Sequence, residues 1–435
     1  MFTRFTAPVC ISPLLRSFMR SRFKFYAGWQ VLWAVTLSAI STSFAGEEKA
    51  AASFAYFDQG ARAGKPQTVV FFGGSLAAGA GASNPNVTSY RALLEGHLRQ
   101  AYPAATFTFR GAALPGTGSK LGMFRLDRDV LVNRPDLLFL DFTVEDNLRG
   151  TDRQTLASYE RILREVISEG IPVVEILNAT QDFAGPAWKH LGPPRLRDHL
   201  ELGKLYHTGV ANSLSLIQNF LMNNLARTRD QIWTGDGPAM TDEGHRFVYL
   251  AVRLSLGEAI QEKRICYVPR DSVFATEYKN IFQFFPGTFP LPPGWKSAAP
   301  LRETIAQADS SISEVAVCDG KDRDITKPLH LNFNGSFLGI LGEATTNGLG
   351  FKIVVDGKTI HYATTPENDV WPTRIAANDG NKFFWHEVAR HFAPGRHTVE
   401  VSPVFAPGTE GELRIQSICV AGMDPEPGPS ASLAK

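Results

Sequence analysis

Cysteine is scarce in this chain, four in 435 residues. Cys10 falls in a leader that reads as removable, which leaves Cys266, Cys318 and Cys419, an odd number and no disulfide framework. Cys318 in "EVAVCDG" and Cys419 in "IQSICVAG" lie on expected strands bounding one domain. They read either as a pair in an oxidising compartment or as small buried hydrophobes. An excess of one charge is equally lacking. The 44 basic and 43 acidic residues give a formal net charge of +1, with no long block of either sign. That balance argues against nucleic acid and against an acidic membrane surface as partners, and leaves a small molecule or a neutral polymer. After residue 45 no stretch is apolar and long enough to cross a bilayer, so no stable membrane span is expected in the mature chain. Metal-ligand spacing is missing too: His97, His190, His199 and His207 form no His-x-x-x-His pattern beside a carboxylate. Neither a metal nor another cofactor is expected, and no internal repeat is present.

The first 45 residues differ from the rest. Arg16, Arg20, Arg22 and Lys24 precede the largely apolar "AGWQVLWAVTLSAISTSFA", which ends in small residues at Ser43 and Ala45. A charged leader, an apolar run and a small-residue end describe a secretory signal over 1–45, with an uncleaved N-terminal anchor as the alternative. The expected location is secreted or periplasmic, and 46–65 read as an N-terminal extension.

Over 66–262 short apolar strands alternate with amphipathic helices. "TVVFF" (68–72), "TFTF" (106–109), "LLFLD" (137–141) and "IPVVEIL" (171–177) are too short and too β-branched or aromatic to be helices, and read as buried parallel strands. Between them, Tyr90, Leu93, Leu94, Leu98 and Ala101 recur at helical spacing, as do Leu156, Tyr159, Leu163, Val166 and Ile167 before Gly170. This alternation predicts a three-layer α/β domain with a parallel sheet, whose ligand site lies beyond the carboxyl ends of the strands. Residues 263–300, which include the Pro- and Gly-rich "FFPGTFPLPPGWKSAAP", read as a linker. Over 301–424 the pattern changes to period two: "LHLNFNGSFLGIL", "FKIVVDGKTIHY", "GRHTVEVSPV" and "GELRIQSICVAG" predict a C-terminal antiparallel β-sandwich. The tail 425–435 reads as disordered.

The first strand runs into "FFGGSLAAGAGAS", which puts Ser75 among small residues just past a buried strand. That is where a nucleophile would sit, although a phosphate-binding loop or a plain tight turn has the same look. The loop has no phosphate-loop Lys, and its glycine spacing is not the dinucleotide pattern. Three further blocks follow it: "GAALPGTGSKLGMFRLDRDVL" (111–131), "RPDLLFLDFTVEDN" (134–147) and "WTGDGPAMTDEGHRF" (233–247). In this order and spacing the four resemble the SGNH or GDSL hydrolases, in a bacterial branch whose first block is Gly-Gly-Ser. The resemblance implies a flavodoxin-like fold for the α/β domain and action on acylated carbohydrates or other small esters. It implies that Ser75 is the nucleophile, its own N–H one oxyanion donor and the N–H of Gly116 a second. Asp236 falls in the block that carries the catalytic dyad, and Gly74, Asp146 and Asn147 flank the nucleophile and the third block as candidate binding residues.

Two of the four name-giving residues are altered. Glu145 stands where the family has its donor Asn, and Ala239 stands where it has its His. In serine hydrolases loss of the histidine base slows turnover by about 10⁶. Loss of one oxyanion donor costs a further ~2.7 to 4 kcal/mol. Three replacements for the base are in the sequence. His245 in "DEGH" matches the helix-start Gly-His of the family, and so reads as structural before it reads as catalytic. Glu145 is a base if burial raises its pKa. His386, His391 or His397 of the second domain is a third source. Trp371, Phe383, Phe384 and Trp385 read as core or as a platform for sugar rings, and Arg125 and Arg128 as helix-surface or salt-bridge residues. The expected activity is ester hydrolysis, weak or absent, with a non-catalytic glycan-binding protein as the alternative; the partner is a small ester or a glycan.

Overall fold

The computed structural model describes residues 51–188, 192–223, 228–235, 237–362, 368–389, 392–393, 395–405 and 410–422. The leader, the tail, Asp236, His190 and His391 lie outside them. Among the described residues no helix is long and apolar enough to cross a membrane.

The first half alternates as the sequence predicts: α1 (Phe54–Arg62), β1 (Gln67–Gly73), α2 (Tyr90–Ala101), β2 (Phe107–Ala113), α3 (Ser119–Asp129), β3 (Leu137–Asp141), α4 (Arg153–Ser168), β4 (Val173–Leu177), α5 (Pro194–Tyr206), β5 (Gly209–Asn212), α6 (Ser213–Asn223) and α7 (Asp242–Gln261). The strands form one parallel sheet in the order β2-β1-β3-β4-β5. Helices α1, α2 and α6 pack on α7, and α3 and α5 pack on α4, giving the layers above and below the sheet. Strands β1, β3 and β4 are buried at almost every position because both faces are covered, which explains why they lack polar alternation. Strand β2 lies at the edge and is half exposed, so the expectation of a buried strand there fails. The helices begin where side chains satisfy free amides: Ser89 accepts from Ala92 N, Asp152 from Thr155 N and Thr241 from Gly244 N.

The second half consists of β6 (Asn280–Phe284), β7 (Trp295–Ala298), the short α8 (Arg302–Ala306), β8 (Val315–Asp319), β9 (Leu329–Gly335), β10 (Phe337–Ala344), β11 (Gly350–Val355), β12 (Lys358–Thr359), β13 (Lys382–Ala389), β14 (Gly395–Val404) and β15 (Glu412–Gly422). They make a six-stranded and a four-stranded antiparallel sheet, the latter ordered β12-β11-β14-β9, closed on a shared core that includes Phe351, Trp371 and Ile418. Asp356 and Gly357 both have positive φ, the two-residue turn that "VDGK" predicts.

Several expectations need correction. Residues 263–300, read as a linker, contribute β6 and β7 to the larger sheet: β6 pairs with β15 and β7 with β8, so edge pairing overrides the Pro-rich composition. The extension 46–65 contains α1, which buries Phe54, Phe57 and Ala61 in the α/β core. Cys318 and Cys419 are not paired; both are buried free thiols, as is Cys266. Cys318 lies opposite Leu413 on β15, six residues from Cys419 along that strand. Of the proposed sugar platform, Trp371 and Phe384 belong to the sandwich core, while Trp385 packs on Phe124 and Phe337 between the halves. Phe337, Leu341, Cys419 and Ala421 of the sandwich share one core with the parallel sheet, so the two halves meet across a continuous apolar interior.

Candidate active site

Parallel register brings the candidate residues together. Gly73, the last residue of β1, pairs with Ala113 at the end of β2 and with Asp141 at the end of β3. The loops leaving these three ends carry Ser75, Gly116 and Glu145, and share one rim of the sheet.

The three residues touch. The N–H of Gly116 donates to Ser75 Oγ at 3.1 Å, and a φ of 72° at Gly116 turns that amide towards the serine. The N–H of Ser75 donates to Glu145 Oε1 at 2.5 Å. Glu145 therefore occupies a donor that the resemblance assigns to the oxyanion. Gly74 explains how it gets there: a Cβ at position 74 would overlap the Glu145 carboxyl, so Gly-Gly-Ser in the first block and Glu in the third fit as a pair. Burial lifts the Glu145 carboxyl above its ordinary range, against the pull of its bond to Ser75.

Beneath this set lies a buried polar floor. Asp141 accepts from the Tyr90 hydroxyl at 2.8 Å and from Asn178 Nδ2 at 3.1 Å. Burial, helped by the nearby Glu145 charge, pushes its pKa up to about 7. Asp146 accepts from Ser119 N at 2.7 Å and so ties the third block to the start of α3; a Cβ at Gly118 would collide with it. Burial raises Asp146 to about 7 as well. Its Oδ2 lies 3.8 Å from His199 Nε2, and neither atom has a hydrogen-bond partner among the described residues. Asp146 thus props two loops from below. Asn147 is exposed, with φ 58°, and its side chain accepts from Arg149 N at 3.3 Å, which closes its own turn.

No imidazole of the described residues reaches Ser75 by the contacts observed. His245 is fully buried, accepting from Tyr90 N at 3.3 Å and bonded to Ala80 O at 3.1 Å, so both ring nitrogens are engaged. His386 bonds Pro372 O at 3.1 Å inside the sandwich, and His397 bonds Asp356 Oδ2 at 2.6 Å and Ala393 O at 2.7 Å. The described residues around position 239, where the resemblance expects a histidine, are held by hydrogen bonds. Met240 N donates to Ala80 O at 3.0 Å, Thr234 N donates to Ala239 O at 3.1 Å, and Trp233 Nε1 donates to Ala179 O at 3.0 Å. The loop is docked against the segment after Ser75, but position 239 brings only a methyl group.

Arg125 and Arg128 both pair with Asp129, the salt-bridge role read from the sequence, but Arg125 does so in the interior and not on the helix surface. It is fully buried, donates to Gly73 O at 2.8 Å and Ala112 O at 2.6 Å, and lies 4.5 Å over the Phe72 ring. Burial lowers its pKa to about 10, and Asp129 opposes that shift. Arg125 clamps the last carbonyl of β1 and the last but one of β2, the strands that lead to Ser75 and Gly116. Its i,i+4 partner Asp129 was the available signal. From the sandwich, Glu387 on β13 reaches Lys120 Nζ at 3.1 Å and braces α3 from outside.

No family model and no curated protein matches the chain. Among solved structures, a two-domain esterase active on acetylated mannans, co-crystallised with mannopentaose, superposes with a TM-score of 0.65 at 18% identity, over 86% of this chain and 95% of that one. A second structure of a two-domain esterase active on acetylated mannans gives 0.64 at 17% identity, over 85% and 94%. The parallel sheet and the sandwich that follows it are together the fold of a two-domain esterase.

Proposed function

We propose that the chain is a slow ester hydrolase of the SGNH type, acting on acylated carbohydrate or another small ester through Ser75, with Glu145 in place of the missing histidine. The contact set Gly116, Ser75 and Glu145 carries this reading. Ser75 Oγ attacks the ester carbonyl carbon as the Glu145 carboxylate takes its proton. The Gly116 N–H donates to the developing oxyanion, joined by the Ser75 N–H once Glu145 has swung off it. Glu145 then protonates the departing alkoxide. A water deprotonated by Glu145 releases the acyl group as the free acid and restores Ser75. A positioned carboxylate supplies about 10²- to 10⁴-fold, well short of the ~10⁶ that depends on a full triad. The two-domain neighbour's action on acetylated mannans supports an acetylated polysaccharide as the substrate class. Export through the 1–45 leader belongs to the same proposal.

The test is hydrolysis of p-nitrophenyl acetate and an acetylated xylo-oligosaccharide by the purified chain, beside Ser75→Ala and Glu145→Gln. The parent is expected to turn over and both variants to fall to background. Because the base must be ionised, kcat/KM of the parent should fall as the pH drops through the raised Glu145 pKa. Equal rates for parent and Ser75→Ala would sink the hydrolase. A second reading, a non-catalytic glycan binder in the same crevice, draws on one observation: the Ser75 N–H is already taken by a carboxylate. It predicts saturable binding of the oligosaccharide with no turnover.

A further inference from the structure

An open cleft of about 550 Å³ lies between the middle of α4 and residues 270–279. It shares no lining residue with the Ser75 site. Arg161, Arg164, Arg270 and Lys279 face it against only Glu165 and Asp271, an excess of two positive charges in a chain whose formal net charge is +1.

Its walls are built before any ligand arrives. Arg161 Nη1 donates to Tyr278 O at 2.7 Å and Lys279 O at 3.0 Å, while its Nη2 pairs with Glu165. Arg164 Nη1 donates to the Tyr206 hydroxyl at 3.1 Å and Pro269 O at 3.0 Å. The facing segment is fixed by Glu160, whose carboxylate accepts from Val273 N at 2.8 Å, Phe274 N at 2.5 Å and Ala275 N at 2.8 Å. Two arginines are thus held in place with part of their donor capacity unspent. Arg161 Nε is buried and has no acceptor among the described residues. Arg270 and Lys279 are exposed, and among the described residues their side chains have no hydrogen-bond or ion-pair partner.

We propose that this cleft binds an oxyanion, carboxylate or phosphate, carried on a ligand of monosaccharide size. Arg161 and Arg164 are the fixed donors, and Arg270 and Lys279 complete the charge. Guanidinium groups match the planar or tetrahedral oxygens of such groups, and the volume exceeds what a bare ion needs. The inference stands apart from the ester hydrolase reading.

Titration calorimetry on the full chain tests it with three probes at low ionic strength: galacturonate, inorganic phosphate and neutral galactose. Saturable one-site binding of at least one anion is expected, with none for galactose. The tighter anion identifies the source of the oxyanion. The double variant Arg270→Ala with Lys279→Ala, which breaks no internal contact, should weaken binding at least tenfold while its circular dichroism matches the parent. Binding of neither anion overturns the proposal, as does an unchanged Kd in the double variant.

Discussion

The site divides into two halves that obey different rules. The loops after β1 and β2 bring Ser75 and Gly116 together, with the Gly116 amide donating to the serine hydroxyl, as the proposed esterase chemistry needs. The loop after β3 and residues 233–235 and 237–241 are also held by hydrogen bonds, and on the proposed reading they carry Glu145 and Ala239 where that chemistry needs a donor and a base. Loop shape is set by backbone hydrogen bonds and buried side chains such as Trp233, none of which involves the side chain at 239. On the proposed reading, such a scaffold tolerates exchange of its reacting group because the side chain at 239 takes no part in these contacts.

The sharpest way to break the contrast is to restore the second half. Ala239→His with Glu145→Asn should raise p-nitrophenyl acetate hydrolysis by about 10² or more, since a base and an oxyanion donor return together. No gain in kcat/KM would mean that the loop shape itself has departed from an active one. Next, Arg125→Met should strike the first half. Removing a buried guanidinium that serves two carbonyls and Asp129 is expected to destabilise by about 3 to 5 kcal/mol, read as a lower urea midpoint. The third test concerns the floor of the second half. Burial raises Asp141 to about 7, above its ordinary 3.8, so the folded state holds its proton more tightly than the unfolded one. Its contribution is then full below about 4 and is lost as the pH rises through about 7. Asp141→Asn removes that penalty, so its midpoint should gain on the parent between pH 4 and pH 8; a constant difference would show that the folded carboxyl ionises freely. The smallest effect is expected from Gly74→Ala. The added methyl should push the Glu145 carboxyl aside and destabilise by ~1 to 3 kcal/mol, and an exchange-protected Ser75 amide in the parent should become labile.

Much of this was legible in the residues. Strands β1, β3 and β4 announced themselves because strands covered on both faces are continuously apolar, and the order of four blocks placed Ser75, Gly116 and Glu145 on one rim. Strand β5, "GVAN", is too short and too small to signal itself, and only α7 and β4 packing against it make it a strand. β6 and β7 hide in a Pro-rich run because edge strands borrow their partners from elsewhere in the chain. The Arg125 salt bridge was legible in "FRLDRD", but its burial was not, because the run shows its charges and not which face of α3 meets the sheet. The Gly74 and Glu145 fit was invisible for a related reason: two residues 71 positions apart explain each other only in space.

Strand β15 has a consequence for how the molecule is made. It bonds to β6, β8 and β10 and places Cys419 and Ala421 in the core shared with the parallel sheet. It is also the last of these elements to leave the ribosome. A growing chain has Ser75, Gly116 and Glu145 in hand hundreds of residues before the strand that closes their supporting interior, so assembly of the front of the molecule waits on its final segment. A chain stopped ahead of residue 412 should leave that interior open and fall to proteolysis.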